Sequence, residues 1–262
     1  KKKFFIKLNS YPLRLSLKNY SNYNNEKLDG KLDLTIINKD NKIDYSLKDN
    51  SLYFNTQDNE IAGNISIKPF FISSNLNLFQ INLKQIFKEN SVLISFLKSE
   101  ALNNKNLNGK INVNTKNLSG VNFISEIEFN VVLEQGGLSI KDLNTIFKDS
   151  VNINLDDTQL IVDDNKLKFA GFVTLDFINI KKFFEHYQIS IKNRKYIKKI
   201  KLGFLFHLDD EFVEIDNLKV DGKLIQNSNQ FINDFNSRKD NIFNKIIFRN
   251  SVKDFFKLIS LE

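Results

Sequence analysis

One phrase returns five times along this chain: an apolar residue, a small or acidic residue, Gly, a spacer, then alternating apolar residues. It reads Leu28-Asp29-Gly30-Lys31-Leu32-Asp33-Leu34, Ile61-Ala62-Gly63-Asn64-Ile65-Ser66-Ile67, and Leu107-Asn108-Gly109-Lys110-Ile111-Asn112-Val113. It comes back as Phe169-Ala170-Gly171-Phe172-Val173-Thr174-Leu175 and as Val220-Asp221-Gly222-Lys223-Leu224. Alternation of this kind is the signature of a half-buried β-strand. Five of the nine glycines sit in this one context, and Gly within a strand pattern marks a bulge, a bend or a close backbone approach. One strand unit used repeatedly predicts a long, curved, antiparallel sheet with a continuous apolar face.

Between the phrases the text stays strand-like, as in Leu13-Arg14-Leu15-Ser16-Leu17 and Ile43-Asp44-Tyr45-Ser46-Leu47. Turns carry Asn, Asp and Lys, and Gln135-Gly136-Gly137 reads as a tight hairpin turn. The period switches to helical spacing over about 83–99, again in short stretches at about 142–148 and 179–187, and from 228 to 262. Asn179 is placed to cap the third of these. The organisation expected is a repetitive β-rich unit over 1–227 and a helical C-terminal segment over 228–262. Strands do not alternate with long crossover helices, so a parallel βαβ fold is not expected.

Charge and composition narrow the function classes. The net charge of +7 accompanies a text rich in Asn, Lys, Ile and Phe, a bias typical of AT-rich coding, so basicity by itself points weakly to anionic partners. Without Cys there are no disulfides, thiolates or Cys-based metal sites. With no Met in the chain, we expect a fragment of a longer protein, with any membrane anchor outside it; no stretch approaches the ~20 apolar residues of a spanning helix.

Chemical motifs are sparse. His186 and His207 lack a triad context. Asp156-Asp157, Asp163-Asp164 and Asp209-Asp210-Glu211 lack the spacing of a Ca²⁺ loop and read as turn residues. No phosphate-cradling Gly loop, nucleophile elbow or metal signature occurs. A non-enzymatic protein with no cofactor is expected. The strongest basic run contains Lys195, Lys198, Lys199 and Lys201. It reads as a solvated face or as a contact for anionic lipid head groups; a nucleic-acid role is not expected, since Tyr196 alone is there to stack a base.

The repeated Leu-x-Gly-x-Leu-x-Leu phrases, and the Phe-rich helix expected over 180–187, resemble the AsmA-like proteins. The stretches 75–116 and 124–223 carry the resemblance, with 127–147 similar to that family's strand, tight Gly turn, strand and short helix. The resemblance implies an inner-membrane anchor in a Gram-negative bacterium, a periplasm-facing β structure folded into a U-shaped apolar groove, phospholipid acyl chains as cargo, and an outer-membrane protein partner. It carries no catalytic motif. Period-two spacing nominates Ile127, Phe129, Val131, Leu133, Val173, Leu175, Ile200, Leu202, Phe204 and Phe206 as one concave, groove-facing set. An alternative stays open: the same alternation would build a closed-core structural or adhesin-like envelope protein with no lipid cargo. A third, an envelope-polymer hydrolase, would need carboxylates clustered in a cleft.

Overall fold

A computed structural model describes residues 2–10, 15–24, 26–36, 39–81, 97–98, 104–118, 124–226, 228–239, 241–242 and 244–261. The chain is mostly β and forms one long, open, curved sheet of fifteen strands. Spatial order equals sequence order, from β1 (Lys2–Ser10), β2 (Leu15–Asn24), β3 (Lys27–Ile36), β4 (Lys39–Lys48) and β5 (Ser51–Thr56) to β6 (Ile61–Ile67), β7 (Phe70–Ile81) and β8 (Gly109–Leu118). It continues through β9 (Ile124–Glu134), β10 (Gly137–Phe147), β11 (Val151–Asp163), β12 (Lys166–Phe177), β13 (Lys199–His207), β14 (Phe212–Val220) and β15 (Lys223–Leu224).

The expectation of a purely antiparallel sheet needs one correction, because β7 and β8 run parallel, with Leu76 opposite Val113. A parallel pair needs a crossover connection, and the helical insert expected over 83–99 falls in that connection. It lies outside the described residues except for Leu97 and Lys98, which are helical.

The short helix expected at 142–148 is also corrected: these residues end strand β10 and its turn. A β-bulge explains the misreading. Asp142 adopts the left-handed conformation (φ 56°), and the register with β9 shifts between Lys141 and Asn144. The extra residue moves the inward face from Leu138 and Ile140 to Leu143, Thr145 and Phe147, so a strand acquires spacings of three and four. Asp157 (φ 49°) and Asn217 (φ 48°) accompany register shifts of the same kind. Asp and Asn tolerate this conformation because their short side chains bond locally.

Among the repeat glycines, Gly171 faces the β11 bulge, with Thr158 and the Asp156 carbonyl filling the space beside it, whereas Gly30 and Gly63 are not at register shifts. Gly30, Gly63 and Gly171 sit mid-strand opposite Tyr45, Phe54 and Phe204. The Tyr45 ring occupies the space a side chain on Gly30 would need, and the Phe54 ring and β7 backbone crowd Gly63. At Gly30 and Gly63 the Gly makes room for a large cross-strand neighbour.

Three helices follow the expected positions. Helix α1 (Ile180–Tyr187) is capped by Asn179, which accepts from the Lys182 amide. Helices α2 (Ser228–Asn236) and α3 (Lys245–Ile259) form the C-terminal segment. All three pack on one end of the sheet. Phe184 and Phe256 are completely buried there, ring to ring at 5.1 Å, over Val151, Ile200 and Leu218.

Candidate functional site: a continuous apolar sheet face

Register alone sorts the side chains into two faces. Paired residues share a face, so the set Val173–Leu202, Leu175–Ile200, Phe169–Phe206 and Gly171–Phe204 is one surface. On β9, Phe129 lies opposite Val113, Val131 lies between Ile111 and Ile140, and Ile127 faces Thr115. Leu133 is buried with Leu167 and Leu208 against Phe169 and Phe206. The ten residues nominated from the sequence therefore occupy one face, with Ile127, Leu133 and Ile200 buried and the other seven partly exposed.

That face extends much farther than the nominated set. Following the pairs outward gives Leu76–Ile61, Ile65–Leu52, Phe54–Tyr45, Leu47–Leu28 and Leu34–Leu17, ending on β1 with Leu8. The apolar surface runs from β1 to β14; on β15 the same face carries Lys223. The signal was present in the sequence, in the alternation of the first eighty residues, but only the register joins those strands to the later ones. Polar groups interrupt it, as where the Tyr45 hydroxyl donates to Asn19 Oδ1 at 2.7 Å and at the buried Ser74 and Thr115.

The opposite face is mainly polar, with Phe5, Phe71 and Phe79 exposed on it. Lys31 pairs with Asp44 at 3.6 Å and Lys27 with Asp29 at 2.9 Å. Side-chain amides form ladders, Asn112 to Asn75 at 2.7 Å and Asn114 to Asn77 at 3.3 Å. Two of the basic residues nominated for head groups lie on this side with their charges already paired: Lys199 with Asp176 at 3.1 Å, and Lys201 with Asp156 at 3.5 Å and over the Phe172 ring. Lys195 and Lys198 are exposed in the segment before β13, where the Lys198 amide donates to Asp221. The four do not gather at the apolar face.

The helices cover the apolar face unequally. Leu202, Phe204 and Phe206 pack against the buried cluster of Val213, Ile215 and Phe235, which Phe231 and Ile232 of α2 also join, and Leu175 lies against the cluster beneath α1 and α3. Among the described residues no helix packs on β1–β8, where Leu32, Leu47, Leu52, Phe54 and Ile65 stay half-exposed. The C-terminal edge is closed by a device the sequence did not announce. The side-chain amide of Asn241, fully buried, accepts from the Val213 amide at 3.1 Å and donates to the Val213 carbonyl at 2.6 Å. Asn236 does the same for Ile215, at 2.8 and 3.1 Å. Two side chains thus stand in for the missing neighbouring strand.

The titratable groups form separate pairs along the sheet. His207 lies 3.0 Å from Glu214 and stacks on Phe212. His186 lies 3.2 Å from Lys148; burial, Lys148 and Arg249 lower its pKa. Asp209 accepts from the Leu167 amide and pairs with Lys98 at 2.6 Å. Among the described residues no group of three or more His, Asp or Glu side chains is arranged to hold a metal ion.

No family model matches the chain, and no curated protein or solved structure matches it. The functional reading rests on the sheet itself.

Proposed function

We propose that the apolar face is a lipid-bearing surface, and that the chain is a non-enzymatic segment of an AsmA-like envelope protein that shields phospholipid acyl chains between two membranes. The observation that carries this reading is the long apolar register from β1 to β14, with, among the described residues, no helix packed on β1–β8. Thirteen strand spacings of about 4.8 Å give a path of roughly 62 Å along the curve, and the stretch from β1 to β8 is about half of it. Apolar patches of this extent are rare on a protein that acts alone in water. Each methylene taken out of water gains ~0.8 kcal/mol, so an acyl chain laid along this face gains what bulk water denies it, while its head group stays hydrated at the rim. No proton transfer or covalent step is needed. The periplasmic location, the anchor and an outer-membrane partner belong to the same proposal.

The test is extraction of the purified chain and mass spectrometry of what it carries, together with uptake of a fluorescent fatty acid. Bound phospholipid and saturable uptake are expected. Protein that is folded, lipid-free and unable to take up the acyl probe would instead mark the alternative, a structural β protein whose apolar face is covered by protein.

A further inference from the structure

The polar face carries a feature that lipid shielding does not use. A shallow cavity of about 560 Å³ opens over β2–β5. Two cross-strand rows wall it. One is Tyr20–Lys31–Asp44–Asn55 and the other Asn22–Asp29–Ser46–Tyr53. Between the rows the floor is backbone, at Gly30, Tyr45 and Phe54, whose positions alternate to the apolar face. The two tyrosines stand at diagonal corners, three strand spacings and two residues apart, or roughly 16 Å. Each is about half exposed, at 50% and 53%. Phe5 packs on Tyr20 with ring centroids 4.9 Å apart and widens that corner.

Charge decides what would fit. Lys31 pairs with Asp44 and Lys27 with Asp29, and Ser46 also hydrogen-bonds to Asp29. Each carboxylate has its own cation, so the cavity presents no net charge to a phosphate or a nucleic acid. Its walls hold amides, a hydroxyl and carboxylate oxygens, which an acyl chain would desolvate without return. What remains is a set of hydrogen-bonding edges between two flat rings that each have an apolar face and a polar tip. We propose that this cavity binds a short neutral oligosaccharide, with sugar rings stacked on Tyr20 and Tyr53 and their hydroxyls on Asn22, Asn55 and the paired carboxylates. The site lies on the opposite face from the lipid surface and stands or falls independently of it.

The chain has no Trp and seven Tyr, so its intrinsic fluorescence reports the tyrosines directly. The full chain is titrated separately with cellotetraose, chitotetraose and maltotetraose up to about 10 mM, the range of weak single-site binding. At least one is expected to give a saturable change. Tyr20→Ala combined with Tyr53→Ala should weaken it at least about tenfold, and Tyr196→Ala, an exposed tyrosine far from the cavity, should leave it unchanged. Circular dichroism checks the fold of each variant, and Asn55→Ala replaces the double variant if that one unfolds. No saturable response to any of the three sugars overturns the proposal. So does binding that survives both the tyrosine and the asparagine substitutions, or binding displaced by phospholipid vesicles.

Discussion

Phe184 has no exposed surface and meets Phe256 edge to face. Truncating it to Ala removes a ring from a site that cannot collapse, so Phe184→Ala should destabilise the helix-covered end by about 3–5 kcal/mol, read from chemical denaturation. Nearby, His186 gives a pH signature. Its folded-state pKa lies below its ordinary value of 6.5 because burial, Lys148 and Arg249 all disfavour the imidazolium. The unfolded chain therefore binds the proton more readily. Stability contributed by neutral His186 is present above pH 6.5 and is lost as the pH falls below it, levelling off beneath the folded-state pKa. A melting temperature that declines from about pH 7 to 5, and a flatter profile for His186→Gln, are expected. Asp29 and Asp163, held low by Lys27 and Lys168, lose their contributions only below the carboxylate range, so the two windows separate.

At the same scale, the period-two spacing correctly placed Phe204 and Phe206 with Val173 and Leu175 on one face. It did not reveal which of them a helix would cover, because the docking of α2 is a tertiary event with no local signal. The difference is measurable. Phe204→Asp puts a charge against the cluster of Val213, Ile215 and Phe235 and should cost about 2–4 kcal/mol. Leu52→Asp, on the uncovered stretch, should cost about 1 kcal/mol or less and instead reduce acyl-probe uptake.

Strands were the legible elements: the turns at Gln135-Gly136 and Asp164-Asn165, both left-handed, and the capped helix α1 all lie where composition and period put them. Elements went astray where a bulge shifted the phase, as at Asp142. The parallel β7–β8 pair was not readable either, since pairing direction is set by a connection and not by the strands it joins. Nor did the sequence mark Asn236 and Asn241 as edge closures, since a lone Asn reads as a turn. Their role predicts distinct outcomes. Asn241→Ala leaves the Val213 amide and carbonyl buried and unpaired, which should cost about 2–4 kcal/mol and speed hydrogen exchange at Val213. Asn236, less buried, should cost about half as much, with faster exchange at Ile215.

Across the whole molecule the two faces carry opposite chemistry. One is apolar from Leu8 to Val220, and the other is laced with ion pairs and amide ladders. The closed end has helices and asparagine caps; the other eight strands present their apolar side without a helix among the described residues. The most direct test of a lipid role compares the two faces at neighbouring positions. A photoreactive benzoylphenylalanine is placed in turn at Leu32, Leu52 and Ile65 on the apolar face, and at Asp33, Tyr53 and Ser66 on the polar face. The full chain is then irradiated with phosphatidylethanolamine–phosphatidylglycerol vesicles and the adducts are weighed. Phospholipid adducts at the first three positions and none at the second three are the predicted result; equal labelling of both faces, or labelling of neither, would contradict it.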